Sequence, residues 1–369
     1  MDQKFMKRAI ELSKKGIGYT SPNPLVGAVI VKDGTIIGEG YHEVYGSHHA
    51  EVNAFKNATE DVTGATMYVT LEPCSHYGKT PPCADLIVKK KIKEVVIALK
   101  DPNPLVSGRG IKILEDNGIK VTTGILESEC RKVNEIFLHY ITKGTPFCIL
   151  KTAMTLDGKI ATKTGHSKWI TGDSSRKHVH KLRHQVSAIM VGIDTVIEDN
   201  PLLTTRLEKQ DGRDPIRVIV DTTARIPLDA NVLSNDSSAA TIIATTERAP
   251  KDKIELLKDR GADVIVTRLK NNRVDLQDLL NQLGERKIDS VLIEGGSTLN
   301  YSLLQEGLIH KVMTYIAPKL IGGSTAKTPV GGQGVSTMDE ALHLQDIQVS
   351  HFDEDIMIEG YIKHTVKED

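Results

Sequence analysis

Short apolar segments alternate with helical patterns along almost the whole of this 369-residue chain. Segments such as 94–99 (EVVIAL) and 216–220 (IRVIV) have the length and the β-branched side chains of buried strands, whereas 2–15 carries its apolar residues at helical spacing. Because neither kind of element buries its apolar face alone, strands and helices that alternate in this way pack as a sheet covered by helices. The pattern therefore predicts an α/β fold.

A break near residue 145 divides the pattern into two parts. A helical stretch at 127–143 is followed by Gly-Thr-Pro at 144–146, and a new apolar strand begins at 147–150. A chain of this length exceeds one ordinary domain. We therefore expect two α/β domains, residues 1–145 and 146–369. The other strands predicted for them are 27–31, 35–38, 65–71, 119–123, 188–191, 241–244, 263–266 and 290–293. The other predicted helices begin near His49 and Cys83 or span 110–117, 173–184, 250–260, 275–286 and 297–306.

The composition excludes several classes of protein. The 47 Lys and Arg residues balance 48 Asp and Glu residues, and aromatic residues make up 4%, which disfavours a nucleic-acid partner. No apolar run approaches the roughly 20 residues of a membrane span, and four cysteines without an export signal suggest reduced thiols. We expect a cytoplasmic enzyme with a small-molecule substrate and no membrane partner, in the form of a homo-oligomer.

The sharpest chemical signal is one histidine, one glutamate and two cysteines in the first domain. His49 and Glu51 form a His-x-Glu motif, Cys74 follows a proline, and Cys83 lies nine positions further on. Three N or S ligands with an open fourth position are typical of catalytic Zn²⁺, which lowers the pKa of water. His-x-Glu with Pro-Cys and a second Cys is the pattern of zinc-dependent base deaminases, in which the glutamate transfers protons. We predict His49, Cys74 and Cys83 as ligands of one Zn²⁺ and Glu51 as the catalytic residue.

Each cysteine, taken alone, could also be a buried core residue without a metal, because cysteine is among the most buried residue types. For Cys130, in a helical pattern, and Cys148, in an apolar strand, we favour a place in the core. For the combination of His49 with Cys74 and Cys83 we favour the metal.

Three segments of the first domain resemble the riboflavin-biosynthesis deaminases: 21–27 (SPNPLVG), 49–51 (HAE) and 72–83 (EPCSHYGKTPPC). The last one separates the cysteines by eight residues, where the general deaminase pattern has two. The resemblance implies a cytidine-deaminase-like α/β/α sandwich and a phosphoribosylamino pyrimidine nucleotide as substrate. It also implies that Asn23 touches the base and that His42, Lys79 and Asn103 hold the ribose and phosphate, with His76 as a further candidate contact.

The second domain has one weak signal of its own. Glu294 and two glycines follow the predicted strand 290–293 and open a helix, a turn at which backbone N–H groups can approach a phosphate. A plain strand-to-helix turn explains the same residues equally well, and the Gly-x-Gly-x-x-Gly fingerprint of a Rossmann domain is absent.

Segments 151–159, 167–172, 192–195 and 199–204 resemble the reductases of the same pathway. The resemblance implies a fold similar to dihydrofolate reductase, NADPH as cofactor, and reduction of the ribosyl group to a ribityl chain. The residues that it places at the dinucleotide are Ala153, Trp169, Thr195, Asp199, Thr222, Gly296, Ser297, Thr298, Leu299, Asn300, Tyr301 and Ser302. Those that it places at the substrate are Ser167, Arg183, Leu203, Arg206 and Glu294. The two arginines suit a phosphate, and Lys151 and Glu294 suit either polar contacts to the substrate or a structural ion pair.

Together the two resemblances cover essentially the whole chain and predict a bifunctional enzyme of riboflavin biosynthesis, a zinc-dependent deaminase followed by an NADPH-dependent reductase. One alternative keeps the zinc deaminase but directs it to a base in tRNA, with the second domain as a binding module. A second alternative makes the zinc structural, with a fourth ligand from Glu51, His42, His48 or His76.

Overall fold

The computed structural model describes residues 2–75, 81–103, 107–207, 212–234 and 239–363. The chain divides into two compact units, Met1–Gly144 and Thr145–Asp369. Each unit contains its own large β-sheet. None of the described helices has both the length and the apolar character needed to cross a membrane.

In the described residues, the first unit contains five strands and six α-helices. The strands are β1 (Gly27–Lys32), β2 (Thr35–Tyr41), β3 (Thr66–Leu71), β4 (Glu94–Leu99) and β5 (Lys120–Thr123). The helices are α1 (Asp2–Ser13), α2 (Ala50–Lys56), α3 (Cys83–Lys89), α4 (Arg109–Asp116), α5 (Glu127–Val133) and α6 (Glu135–Lys143). The sheet order is β2-β1-β3-β4-β5. β1 is antiparallel to both of its neighbours, and β3, β4 and β5 run parallel.

Helices cover both faces of this sheet, as the alternation of side chains along β1 illustrates. Ala28 and Ile30 pack with α2, α3 and α4, whereas Val29 and Val31 pack with α1 and α5. Successive side chains of a strand point to opposite faces, so β1 contributes to two separate cores. The predicted α/β/α sandwich is confirmed.

Glycine lets helix α2 lie very close to β2. A Cβ atom on Gly40 would lie 2.2 Å from the backbone nitrogen of Ala54 and 2.4 Å from the carbonyl oxygen of Ala50. No side chain fits in that space, so only glycine permits this approach. The close packing holds the first turn of α2, which carries Glu51, against the sheet.

The single helix expected at 127–143 is wrong, because the structure has two helices that meet at Asn134. The Asn134 side chain is buried and hydrogen-bonds the backbone of Leu25, accepting from its N–H at 2.8 Å and donating to its carbonyl at 3.0 Å. Asparagine competes for backbone hydrogen bonds in this way, and a non-helical conformation at Asn134 is the result. The break ties α6 to the segment before β1.

The second unit is a mixed sheet of nine strands with helices, plus a small hairpin. Its strands are β6 (Phe147–Thr155), β7 (Ala188–Gly192), β8 (Ile216–Val220), β9 (Thr241–Thr246), β10 (Asp263–Thr267), β11 (Leu269–Lys270), β12 (Arg273–Val274), β13 (Ser290–Ile293), β14 (Lys311–Ala317), β15 (Leu344–Phe352) and β16 (Asp355–Ile362). Its helices are α7 (Asp173–Gln185), α8 (Ile193–Asp199), α9 (Lys251–Asp259), α10 (Leu276–Glu285) and α11 (Ser297–Gln305). The order of the large sheet is β10-β9-β8-β7-β13-β6-β14-β16-β15.

The strands from β10 to β14 run parallel, whereas β16 and β15 add an antiparallel edge. The sequence patterns predicted the parallel strands up to β13 but not β14, β15, β16 or the short helix α8. In β15 most side chains are exposed, so the apolar signal of a buried strand is missing there.

Parallel strands bring their carboxyl ends to one edge of the sheet. Gly192 ends β7, Val220 ends β8, and Glu294 follows β13 directly. The Glu294 N–H also bonds the carbonyl of Met190 on the neighbouring strand at 3.0 Å. Ligands of open α/β sheets bind at this edge, so the fold gathers the residues of the second candidate site there.

Candidate functional sites

The three predicted metal ligands come from two helix starts and one loop. His49 immediately precedes α2, Cys74 follows β3, and Cys83 is the first residue of α3. The backbone N–H of Cys83 points at Cys74 Sγ, 3.3 Å away. Because N–H groups at a helix start carry partial positive charge, this contact stabilises a thiolate at Cys74.

The ligand atoms of these residues are already gathered. His49 Nδ1 lies 3.4 Å from Cys74 Sγ and 3.3 Å from Cys83 Sγ, and the three ligand atoms lie within 4.8 Å of one another. Zn–N and Zn–S bonds in tetrahedral geometry separate such atoms by about 3.5 Å. The donor set therefore fits zinc in both type and spacing.

The two thiols and the imidazole lie close enough to shift one another's pKa. The hydrogen bond from the Cys83 thiol is the largest cause that lowers the pKa of Cys74 to about 4, and it correspondingly raises the pKa of Cys83. The contact with Cys74 raises the pKa of His49 to about 9.

Glu51 lies in the first turn of α2, beside the ligand cluster, and is 3% exposed. Burial raises the pKa of Glu51 to about 7, and the negative charge of Cys74 acts in the same direction. A carboxyl group in such surroundings is suited to proton transfer near neutral pH.

A cavity of about 210 Å³ opens on the ligand cluster and on Glu51. Asn23, His42 and Asn103, which the resemblance assigned to the substrate, all line this cavity, as does Phe137 of α6. Segments distant in sequence thus meet at one site. Sequence reasoning missed Phe137, whose only signal was an apolar position on a helix.

Both ring nitrogens of His42 form hydrogen bonds within the protein. Its Nδ1 lies 3.0 Å from the carbonyl oxygen of His48, which can only accept, so Nδ1 carries the hydrogen. Its Nε2 then accepts from Asn23 Nδ2 at 3.2 Å. Burial lowers the pKa of His42, in keeping with a neutral ring. Since both ring nitrogens are used, His42 orients Asn23 and is not available as a fourth metal ligand.

Glu72 is a second buried carboxylate at this cavity, and sequence reasoning missed it. It accepts four backbone N–H groups, at 3.2 Å from Asp101, 3.1 Å from Gly108, 3.0 Å from Gly110 and 3.3 Å from Ile111. These bonds fasten both ends of the segment that carries Asn103. The signal in the sequence was the conspicuous glutamate directly before Pro-Cys.

The predicted contact Lys79 and the candidate His76 lie outside the described residues, so their predicted roles remain predictions. Among the residues that are described, the metal-type cluster has the three members His49, Cys74 and Cys83. Cys130 and Cys148 are buried, at 1% and 0% exposure, as predicted.

The second unit also holds a buried carboxylate, Glu294, between two cations. Arg183 donates from Nε at 2.7 Å and from Nη2 at 3.1 Å, and Lys151 Nζ lies 2.8 Å away. Burial alone disfavours a charged Glu294, but the charges of Arg183 and Lys151 outweigh it and hold the pKa of this carboxyl well below its usual range. Of the two interpretations left open for Lys151 and Glu294, the structure contains the ion pair.

The remaining residues predicted at the substrate differ in their exposure and in the hydrogen bonds that they already make. Arg183 has little left for a phosphate, because its Nη1 donates to the carbonyl of Thr204 at 2.9 Å. Arg206 is exposed and has no ion pair with any described residue. Leu203 is 5% exposed and packs in the core, so only its backbone can meet a ligand. Ser167 is half-buried in the loop after β6.

A larger cavity, of about 740 Å³, lies in the second unit. Five of the residues predicted at the dinucleotide line it: Thr222, Thr298, Leu299, Tyr301 and Ser302. They come from the end of β8 and from α11, at the edge of the sheet where the parallel strands end. The structure therefore brings this part of the predicted set together.

The other residues predicted at the dinucleotide lie outside the lining of this cavity. Ala153 lies on β6, Asp199 ends α8, and Trp169 is 63% exposed with the Arg176 guanidinium 4.5 Å from its ring centre. Asn300 is buried and donates to the carbonyl of Pro329 at 2.8 Å, which gives it a structural contact. Thr195, Gly296 and Ser297 lie at the starts of α8 and α11.

The first unit thus combines a deaminase-type α/β/α sandwich, a His-Cys-Cys cluster and a buried glutamate, and it defines a member of the zinc-dependent deaminase class joined to a second α/β domain. The family model of the cytidine and deoxycytidylate deaminase zinc-binding region matches residues 1–99, and that of the RibD C-terminal domain matches residues 146–358. The chain belongs to the RibD family of riboflavin biosynthesis proteins.

Relatives match along nearly the whole chain. The riboflavin biosynthesis protein RibD of Actinobacillus pleuropneumoniae is 51% identical over 97% of this chain and 94% of its own. The solved structure of Acinetobacter baumannii RibD is 41% identical, with a TM-score of 0.89, and the match covers 98% of this chain and 99% of that one. A deaminase/reductase structure from Thermotoga maritima is also 41% identical, with a TM-score of 0.85 and the same coverage.

Proposed function

We propose that this chain is a bifunctional enzyme of riboflavin biosynthesis that first deaminates a diaminohydroxyphosphoribosylaminopyrimidine and then reduces the resulting 5-amino-6-(5-phosphoribosylamino)uracil with NADPH. The Thermotoga relative carries both activities in its name. The observation that carries the proposal is the ligand cluster of His49, Cys74 and Cys83. Two of its members, His49 and Cys74, line one cavity together with Glu51 and Asn23.

His49, Cys74 and Cys83 hold the metal, and a histidine with two cysteines is a preferred donor set for zinc. Zn²⁺ bound there supplies a Lewis acid that makes water nucleophilic near neutral pH. A structural zinc normally has four protein ligands. Since the described cluster has three members and both ring nitrogens of His42 are used elsewhere, a catalytic zinc is favoured over the structural alternative.

Glu51 moves the protons of the deamination. Its carboxylate takes one proton from the attacking water and delivers it to the pyrimidine ring nitrogen. It then takes the remaining proton of the added hydroxyl group and delivers it to the amine, which departs as ammonia while the carbonyl forms. Burial serves this role, because a carboxyl group with a pKa near neutrality can both accept and return a proton.

Asn23 and Asn103 position the nucleotide. His42 accepts from Asn23 Nδ2 and so fixes the orientation of this amide, which leaves its oxygen to meet a donor on the base. Asn103 lies in the segment fastened by Glu72 and is proposed at the ribose and phosphate, together with Lys79. His42 thus orients Asn23 and also lines the cavity, and its predicted contact with the ribose and phosphate stays a prediction.

The second domain binds NADPH and the deaminated nucleotide. The cavity lined by Thr222 and α11 takes part of the dinucleotide, and the exposed Arg206 suits the phosphate of the substrate better than Arg183 does. Glu294 stays ionised between Arg183 and Lys151, so it orients polar groups and does not donate a proton. Positioning of the hydride donor against the sugar carbon supplies most of the rate.

We also propose a cytoplasmic location, small-molecule ligands and a homo-oligomer. The four free cysteines support a reducing compartment. The balanced charge gives no support to a nucleic-acid partner, and membership in the RibD family disfavours the tRNA alternative. Exposed apolar side chains on the edge strand β15, Ile347 and Val349 at 57% each, support self-association.

The test is a two-product assay on the purified chain with the diaminopyrimidine nucleotide. We expect ammonia release in the absence of NADPH and NADPH consumption only after deamination. Removal of zinc by a chelator should abolish ammonia release and leave NADPH consumption with the deaminated nucleotide intact. Equal NADPH consumption with the aminated nucleotide would contradict the order of the two reactions.

A further inference from the structure

Three cationic side chains border the cavity of the second domain and have no place in the function proposed so far. Arg225 follows β8, whereas Lys270 and Arg273 belong to the hairpin of β11 and β12. All three are exposed at the cavity wall. They come from two separate segments of the chain, and the fold brings them to the same space.

The hairpin places two of these cations directly opposite each other. Asn271 and Asn272 form its two-residue turn with φ angles of 50° and 61°, the left-handed conformation that tight hairpin turns require. The turn fixes a register in which Lys270 pairs with Arg273. Like charges directly opposite on neighbouring strands are destabilising. The ion pair of Lys270 with Glu306 offsets this repulsion in part, and a bound anion would offset the rest.

The protein neutralises these cations only in part. Arg225 Nη2 lies 2.7 Å from Asp194, and Lys270 Nζ lies 3.0 Å from Glu306. Arg273 has no ion pair with any described residue. The carboxylates of both pairs also line the cavity, so three cations face two anions and one positive charge remains. Because exposed ion pairs contribute little free energy, a ligand with a doubly charged group can take over these donors.

The same cavity is lined by Thr222, Thr298 and Tyr301, three residues proposed at the dinucleotide. The anion is therefore a part of that ligand or lies beside it. NADPH differs from NADH by one phosphate monoester on the adenosine ribose, and arginine is the side chain that commonly receives it. Guanidinium groups bind phosphate oxygens in pairs, and lysine adds a point charge.

We propose that Arg225, Lys270 and Arg273 form the subsite for the 2′-phosphate of NADPH. This assignment rests on the proposed use of a dinucleotide by the second domain. It gives the domain a physical basis for preferring NADPH over NADH, which no motif in the sequence supplied. Arg273 is the principal donor because no carboxylate competes for it.

The experiment is isothermal titration of the full, zinc-loaded chain with adenosine 2′,5′-bisphosphate and with adenosine 5′-monophosphate, which lacks only the 2′-phosphate. We expect the wild-type protein to bind the bisphosphate more tightly. Arg273→Ala should weaken the bisphosphate by about tenfold, the loss typical of one charge-assisted hydrogen-bonding partner, and leave the monophosphate unchanged. Arg273→Lys should restore part of the difference. Lys258→Ala, which removes an exposed cation that does not line the cavity, is the matched control.

Each further outcome has a definite meaning. Equal binding of the two nucleotides by the wild-type protein, or equal weakening of both by Arg273→Ala, overturns the 2′-phosphate subsite but leaves dinucleotide binding in place. Failure of both nucleotides and of NADPH itself to bind overturns the dinucleotide proposal and the subsite with it. An unchanged unfolding transition in urea, followed by the fluorescence of Trp169 in the second domain, shows that each variant is folded. The ratio of kcat/KM for NADPH to that for NADH should fall in the same order as the affinities.

Discussion

Glu51 in the first domain and Glu294 in the second are both buried at a candidate site, and their surroundings give these two carboxyl groups opposite properties. Around Glu51 the nearest charges are the Cys74 thiolate and the His49 imidazole, and burial raises the pKa of Glu51 to about 7. Around Glu294 stand Arg183 and Lys151, and their charges keep its pKa low although burial opposes this. The same residue type is therefore suited to proton transfer in one domain and to a fixed negative charge in the other.

This difference matches the chemistry proposed for the two domains. Hydrolytic deamination needs a group that takes and returns protons, whereas hydride transfer needs its reactants held in place. It also explains why the residue types in the sequence pointed directly to the metal site, whereas they left the role of Glu294 open. A metal site needs particular residue types at particular positions, but a fixed charge can be supplied by many combinations.

The largest expected effect is on Glu51. Glu51→Gln keeps the shape of the side chain and removes its capacity to carry a proton, so ammonia release should fall by a factor of about 10² to 10⁴. Zinc content, measured by mass spectrometry, and NADPH consumption with the deaminated nucleotide should not change. Ammonia release at a near-normal rate would show that another group transfers the protons.

The second effect is on the stability of the other domain. Glu294→Gln leaves Arg183 and Lys151 as uncompensated charges, with side chains only 12% and 14% exposed. We expect a loss of about 3–5 kcal/mol in the free energy of unfolding, measured with urea and the fluorescence of Trp169, the single tryptophan of the chain. Glu255→Gln, which breaks an exposed pair with Lys258, is the control and should cost less than about 1 kcal/mol. Similar losses in both variants would mean that the buried ion pair contributes no more to the free energy of unfolding than the exposed pair.

A smaller effect is expected at Glu72, a second buried carboxylate of the deaminase cavity, which is bonded to neutral backbone N–H groups. Glu72→Gln turns one acceptor oxygen into a donor that faces N–H groups, so the segment carrying Asn103 should loosen. We expect KM of the deaminase substrate to rise by about tenfold at unchanged zinc content. Glu39→Gln, which alters a β2 carboxylate bonded to Arg8 at 2.7 Å, should leave KM as it is. Loss of zinc, or a fall in kcat at constant KM, would contradict a role in positioning Asn103.

The smallest effect concerns pH. The pKa of Glu294 is lower in the folded chain than its ordinary value of 4.5, so its contribution to stability is fully present above that pH and is lost as the pH falls towards the folded pKa. The difference in unfolding free energy between the wild-type protein and Glu294→Gln should therefore be constant from pH 7 to about 5.5 and shrink below about pH 4.5. A difference that grows on acidification would show that the carboxyl is protonated in the native state.

Much of the fold could be predicted from the sequence because the buried faces of helices and strands require apolar residues at regular spacing. The strand at 94–99 and the strand at 216–220 have the predicted bounds, since continuous apolar runs of this length leave few alternatives. This spacing is lost where the side chains of an element are only partly buried, and such elements cannot be recognised from it. β15 was missed for that reason, and the break at Asn134 was missed because its cause, the backbone of Leu25, lies 109 positions away.

The three residues proposed as metal ligands could be named from the sequence alone, because zinc accepts few residue types and His-x-Glu with two cysteines supplies them. Tertiary structure alone decided what surrounds those residues. It commits His42 to Asn23, encloses Glu294 between Arg183 and Lys151, and brings the hairpin of Lys270 and Arg273 to the cavity that Arg225 lines. The physical reason is that a local pattern specifies which atoms a residue carries, whereas charge, burial and hydrogen bonding depend on neighbours that only the folded chain supplies.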